Sequence, residues 1–170
     1  MTQIISNLEF KQVSNPEDLA VIHQLAAQTW PATYANIISQ AQIDFMFEKM
    51  YALPALAAQL TEGHTFWIVW RDGQAVGFVS YILSNAAAQV WKIQKLYCLP
   101  QKQKSGLGRA TIDFVREQIR QQGAKTLILN VNRYNSALHF YQKYGFEIAQ
   151  TVDIPYYDYV LNDYVMQIAV

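Results

Sequence analysis

The chain has 170 residues, 52% hydrophobic, with thirteen basic and thirteen acidic side chains; it is long enough for one packed core, too apolar for disorder, and lacks the basic excess of a nucleic-acid binder, so no nucleic acid is expected as partner. A single cysteine, Cys98, and three scattered histidines, His23, His64 and His139, exclude an internal disulfide and offer no metal-ligand spacing, so no metal is expected. The opening MTQIISNLEF lacks the pattern of a signal peptide, and no apolar run nears the roughly 20 residues of a membrane span, so the expectation is a cytoplasmic protein without a membrane partner.

Alternation over residues 8–13 predicts a first strand. Asn15 then stands as a helix cap, Pro16 at the first helical position and Glu17 and Asp18 in the first turn. Leu19, Ile22, Ala26 and Trp30 follow at helical spacing, and Pro31 is expected to end that helix. Residues 39–50 and 54–60 read as two more helices. TFWIVW at 65–70 and AVGFVSYIL at 75–83 are aromatic and β-branched, with Asp72-Gly73 between them as a hairpin turn. Residues 90–99 form a fourth strand, ended by Pro100.

A helix follows over 107–121, with Gly123 just beyond it. TLILNV, at 126–131, is continuously apolar and predicts a fifth strand buried on both faces. A short helix over 136–144 closes at Gly145, and final strands occupy 146–153 and 157–168. No linker or repeat interrupts this order. The fold class is therefore α/β, with residues 1–170 as a single domain around a mixed sheet.

The loop KQKSGLGRA, residues 102–110, joins the fourth strand to its helix. Amides in the first turn of a helix lack internal partners and carry the positive end of its dipole, which suits phosphate. Gly106 and Gly108 admit close approach of a ligand, and Lys102, Lys104 and Arg109 add positive charge. An ordinary solvated turn has the same composition. The loop is not a Walker motif, since Arg109-Ala110 follows Gly108, and it lacks the third glycine of a dinucleotide fingerprint.

The chain resembles the GNAT superfamily of acyl-CoA-dependent N-acyltransferases. Its Gln-x-x-Gly-x-Gly loop corresponds to Gln103, Gly106 and Gly108. A closing motif corresponds to Asn135, Ala137, Phe140-Tyr141 and Gly145-Phe146 within NVNRYNSALHFYQKYGFE. The resemblance covers about residues 92–147, and the order of elements extends it along most of the chain. TWPATY, FEKMY and NDYVM are also similar to a bacterial branch that includes spermidine/spermine acetyltransferases.

This resemblance implies a mostly antiparallel sheet flanked by helices, with a V-shaped opening between the fourth and fifth strands. It implies acetyl-CoA as cosubstrate, its pantetheine arm bonded to the backbone of Leu96, Tyr97 and Cys98. Its pyrophosphate would rest on Gln103, Lys104, Ser105, Gly106, Leu107, Gly108 and Arg109. Asn135 would touch the cofactor arm, with Asn132 as substitute. Tyr141 would be the catalytic acid, since a phenol with a pKa of about 10 is protonated at neutral pH and can donate to a departing thiolate.

The usual strand glutamate of the family is missing: Lys92 and Gln94 stand there. Asp153, Asp158, Asp163 or a water is left as the base. A strand cysteine without an adjacent histidine is more often a small hydrophobe than a nucleophile, so direct transfer is expected. Tyr34 and Tyr51, together with Tyr156 and Tyr157, would line an acceptor pocket whose aromatic faces suit a cationic amine. A small primary amine of polyamine type is the expected acceptor. A peptide or protein amine and a non-catalytic acyl-CoA sensor are the alternatives, and a homodimer stays open.

Overall fold

The computed structural model describes residues 1–5, 7–103 and 105–170. Its elements in chain order are β1 (Thr2–Ile5), β2 (Leu8–Gln12), α1 (Pro16–Tyr34), α2 (Gln40–Tyr51), α3 (Leu53–Thr61), β3 (Thr65–Arg71), β4 (Gln74–Asn85), β5 (Val90–Cys98), α4 (Leu107–Arg120), β6 (Thr126–Asn132), α5 (Ala137–Tyr144), β7 (Glu147–Tyr156) and β8 (Tyr159–Ala169). The strands make one sheet in the order β1-β2-β3-β4-β5-β6-β8-β7. Every neighbouring pair is antiparallel except β5 and β6, which run parallel with α4 as their crossover. The sheet is thus mixed and mostly antiparallel, as expected. None of the described helices is long and apolar enough to cross a membrane.

Helices cover both faces. Phe10, Trp67, Val79, Ile93, Leu127 and Leu129 pack under Leu107, Ile112, Phe114, Val115 and Ile119 of α4, with the ring of Phe10 stacked 4.0 Å from that of Phe114. On the other face Phe66, Ile68 and Phe78 meet Ile22, Leu25, Trp30, Ile43, Met46 and Leu56 of α1, α2 and α3. The caps follow the sequence: Asn15 Oδ1 accepts from the Asp18 amide at 2.9 Å, and Ser39 Oγ accepts from the Gln42 amide.

Three expectations are corrected. TQII forms an additional strand, β1, which pairs only with β2 at the edge of the sheet; four mostly exposed residues carry too little hydrophobic pattern to announce it. The expected fourth and fifth strands are therefore β5 and β6. Pro31 does not end α1, which continues to Tyr34. Burial of Trp30, whose Nε1 donates to Ile43 O at 3.2 Å, and the tilted contact of the Tyr34 ring with Trp30, centroids 4.2 Å apart, outweigh the lost amide. β6 is buried on one face only: Leu127, Leu129 and Val131 enter the α4 core, while Ile128, Asn130 and Asn132 alternate with them and are half-buried.

The decisive local feature lies in β5. Ser80 of β4 opposes Lys95, and Tyr81 opposes Ile93, so Gln94 has no partner and forms a bulge. The bulge changes which residues share a face. Trp91 and Ile93, then Leu96 and Cys98, face α4, whereas Lys92, Lys95 and Tyr97 face α1–α3. At the same point β5 leaves β6, whose pairing runs only through Ile93 opposite Leu129. Beyond it the strands diverge, and this is the V-shaped opening.

Gly77 lets β4 and β5 lie close beside that opening, because a Cβ there would stand 2.7 Å from Tyr97 O. Replacing Gly77 with alanine should cost about 1–3 kcal/mol, the usual penalty of overpacking, read as a lowered denaturant midpoint. An unchanged midpoint would contradict this reading of the strand contact.

Candidate active site

Two cavities flank the parting of β5 and β6. The first, about 500 Å³, is a cleft between the strands that reaches the N-terminus of α4 and the side of α5. Among the residues singled out from the sequence, Leu96, Tyr97, Cys98, Gln103, Gly106, Gly108, Arg109, Asn135 and Tyr141 line it. Ser105 sits outside on the loop surface, its Oγ accepting from Arg71 Nη1 at 3.3 Å and donating to Lys102 O at 2.6 Å. The Leu107 side chain enters the core, so only its amide can serve the loop. Lys104 lies outside the described residues.

Each glycine of the loop has its own reason. Gly106 has φ +79°, in the left-handed region, and faces open space, whereas a Cβ on Gly108 would meet the Phe140 ring at 3.1 Å. Gly108 therefore allows α4 to pack against α5 as well as opening the loop. The first amides of α4 have no internal partners. Arg71, missed in the sequence, brings a guanidinium from the end of β3, and its buried Nε has no partner among the described residues. The Asn135 side chain is partly committed, since its Oδ1 accepts from the Ala137 amide at 2.9 Å.

The second cavity, about 570 Å³, lies under α1–α3 and the tip of the β7–β8 hairpin. Tyr34, Tyr51 and Tyr156 line it, but Tyr157 is exposed at the hairpin turn. Of the three aspartates considered as base, only Asp163 enters. Asp153 is exposed and paired with Arg133 and Asn162, and Asp158 is exposed at the turn. Asn130 Nδ2 donates to Asp163 Oδ2 at 3.3 Å, and burial raises the Asp163 pKa, with Lys92 nearby opposing. Tyr34, Gln94, Tyr97 and Asn130 line both cavities, so the two volumes share a wall where the strands part.

Lys95 and Asn130 were not singled out from the sequence, and Gln94 was noted only, with Lys92, as standing where the family's strand glutamate is expected. Sequence spacing offers no signal for them: Lys92 and Lys95, three apart, would fall on opposite faces of a regular strand, and only the bulge brings both to one cavity.

Tyr141 is buried on α5 against Phe140 and Phe146 and lines the cleft. Burial raises its pKa, with Tyr34 and Cys98 adding to the effect. Tyr144, one turn along, points elsewhere: its hydroxyl donates to Asp113 and its ring lies under Arg109, 4.9 Å away. Burial pushes the Cys98 thiol up to about 12, so it is not a thiolate near neutrality.

Tyr34 and Tyr97 hydroxyls lie 3.3 Å apart, and burial raises the pKa of Tyr34, Tyr51 and Tyr97 as well. Phenols raised in the folded state lend stability that is full below the unfolded value of about 10 and is lost as pH rises above it. A spectrophotometric titration of the native protein should therefore ionise only part of its eleven tyrosines near pH 10, with the rest appearing together with unfolding. Ionisation of all of them in a folded protein would contradict this burial.

A family model described as an acetyltransferase (GNAT) domain matches residues 62–148, half of the chain. The chain is similar to the spermidine N(1)-acetyltransferase of Thermoplasma acidophilum, 25% identical over 152 residues, covering 85% of this chain and 91% of that protein. Its fold is similar to that of PaiA N-acetyltransferase from Thermoplasma acidophilum in complex with coenzyme A, with a TM-score of 0.83 at 22% identity over 97% of this chain and all of that one. It is also similar to that of the ribosomal-protein-S18-alanine N-acetyltransferase of Escherichia coli, with a TM-score of 0.70 at 16% identity over 95% and 93%. A sheet that parts between β5 and β6, with a glycine loop at the opening, thus accompanies a matching family model, and the chain belongs to the GNAT family of acetyl-CoA-dependent N-acetyltransferases.

Proposed function

We propose that the whole chain, 1–170, acts as one domain that transfers an acetyl group from acetyl-CoA directly to the primary amine of a small molecule. The observation that carries this reading is the wall shared by two cavities, with Tyr141 on one side of it and Asp163 on the other.

The cleft fits the cosubstrate. Past Ile93 and Leu129 the facing backbone groups of β5 and β6 are not paired with each other, so they are available to an extended pantetheine chain. The first amides of α4, with Arg71, Lys102 and Arg109, suit its pyrophosphate. Bound there, acetyl-CoA supplies an activated thioester, and all other functions fall to side chains.

Asp163 receives a proton from the incoming ammonium. A free alkylammonium has a pKa of about 10.4, far above a carboxyl; burial narrows that gap by lowering the one and raising the other. Tyr141, kept protonated by burial, delivers its proton to the departing sulfur as the C–S bond breaks and recovers one from the acetylated nitrogen. The net reaction releases one proton. Cys98, raised to about 12, takes no acyl group.

A small-amine acceptor has the support of the spermidine acetyltransferase relative, itself named for a small amine, and of the aromatic walls formed by Trp30, Tyr34, Tyr51 and Tyr156, which suit an ammonium group. Thiol release from acetyl-CoA across a panel of amines and peptides tests the acceptor class. Stimulation by peptides alone would reject the small-amine reading.

Gly106→Asp directs a carboxylate into open space; the left-handed backbone there strains any side chain, aspartate less than most. The variant should fold and bind CoA about tenfold or more weakly, equivalent to about 1.4 kcal/mol. Unchanged affinity by calorimetry would remove the loop from the pyrophosphate site.

Tyr141→Phe keeps the ring and loses the proton. Its kcat should fall by about 10²–10⁴-fold with little change in acetyl-CoA affinity, while Tyr144→Phe stays within a few-fold of the parent. Reversal of that order would show that the acid lies elsewhere on α5.

A further inference from the structure

The acceptor cavity contains a cation that the transfer reaction does not use. Lys95 is 8% exposed and is placed on the cavity side by the Gln94 bulge. Its Nζ donates to Gln59 Oε1 at 2.6 Å and lies 5.4 Å and 5.7 Å from the ring centres of Tyr51 and Phe66. Among the described residues no carboxylate comes within ion-pair distance of it. An ammonium has three donors, and only one of them is used here. His64 lines the same wall, and its buried Nδ1 has no hydrogen-bond partner among the described residues.

The other charges of the wall do not neutralise it. Lys92 and Asp163 influence each other at the opposite end. Glu62, exposed on the same wall, attracts the buried ammonium but does not come within ion-pair distance of it. Lys49 lies over the rings of Phe45 and Tyr157 at the rim. The wall thus carries three lysines against two carboxylates, with the deepest positive charge unpaired. Such a surface repels a polycation. It suits a molecule whose amine goes to Asp163 and whose other end is negative.

We propose that the acceptor is an aminocarboxylate, its carboxylate held by Lys95 and His64 at the far end of the cavity from the acetyl-transfer junction. One buried ammonium with one imidazole matches a single carboxylate charge better than a phosphate dianion. The proposal rests on the acetyltransferase reading and narrows its acceptor.

The test compares amines that differ only in the distal group, with the full chain and acetyl-CoA: unbranched alkylamines, α,ω-diamines including spermidine, and ω- and α-amino acids of matching length. The best amino acid should exceed its matched alkylamine by about tenfold or more in kcat/KM, the range of a charge-assisted bond, and diamines should rank lowest. Lys95→Met should remove that advantage through KM while leaving the alkylamine rate within a few-fold. A purely structural lysine would instead depress all acceptors alike.

Should Lys95→Met fail to fold, inhibition of the wild-type alkylamine reaction provides the second measurement. Aliphatic monocarboxylates should inhibit competitively against the amine. Preference for diamines, or no inhibition by carboxylates, overturns the proposal. Calorimetry with an aliphatic carboxylate separates the two readings: Lys95-dependent binding without acetylation of any amine keeps the anion subsite and rejects the transfer reaction. Acetylation that ignores the distal carboxylate does the reverse.

Discussion

Parallel strands β5 and β6 share a ladder for only four residues, 90–93 opposite 126–129, before they diverge, and the rest of the site depends on that loss of pairing. An unpaired strand edge in a protein interior leaves donors and acceptors that something must satisfy. Here an extended ligand can do so, entering between two strands of the sheet. The bulge at Gln94 falls at the same level, turning the face of β5 as the strands separate. It turns Lys95 and Tyr97 toward α1–α3 and Leu96 and Cys98 toward α4. One extra residue therefore gives the two sides of the sheet different chemistry.

Around that parting the helices divide the work. The glycine loop and first turn of α4 close the outer end of the cleft with amides and positive charge, and α5 brings Tyr141 to its inner part. On the opposite face α1 runs through Pro31 so that Tyr34 reaches the shared wall, where its hydroxyl meets that of Tyr97. The hairpin β7–β8 contributes Asp163 from within the sheet, while its tip packs Tyr156, Tyr157 and Tyr159 around Phe45 of α2. Of these tip residues Tyr156 reaches the second cavity, where it joins Trp30, Tyr34, Tyr51 and Tyr97 in the lining.

Much of the architecture was legible because local signals agreed with the tertiary outcome. Asn15 with Pro16 marked the start of α1, Asp72-Gly73 marked the β3–β4 turn with φ of 52° and 75°, and the glycine loop marked the start of α4. Features that depend on neighbouring elements were not legible. Pro31 reads as a helix end until the burial of Trp30 is known. TLILNV reads as buried on both faces until a cavity is found beside Asn130 and the following Asn132. Within the site, the residue types that resemble a family motif were found, while Arg71, Lys95 and Asn130 were not, since they come from strands whose register sequence spacing alone does not reveal. Asp163 was separable from Asp153 and Asp158 only once the hairpin was built.

The central claim is that the opening between β5 and β6 presents the thioester to the acceptor cavity across the wall of Tyr34, Gln94, Tyr97 and Asn130. A crystal structure with a non-hydrolysable acetyl-CoA analogue tests it most directly. The account predicts the pantetheine arm along β5 beyond Ile93, the sulfur within hydrogen-bond reach of the Tyr141 hydroxyl, about 3.5 Å for so large an acceptor, and the acetyl group facing the Asp163 side. An analogue bound outside this opening, or with its acetyl group turned away from the shared wall, would contradict it.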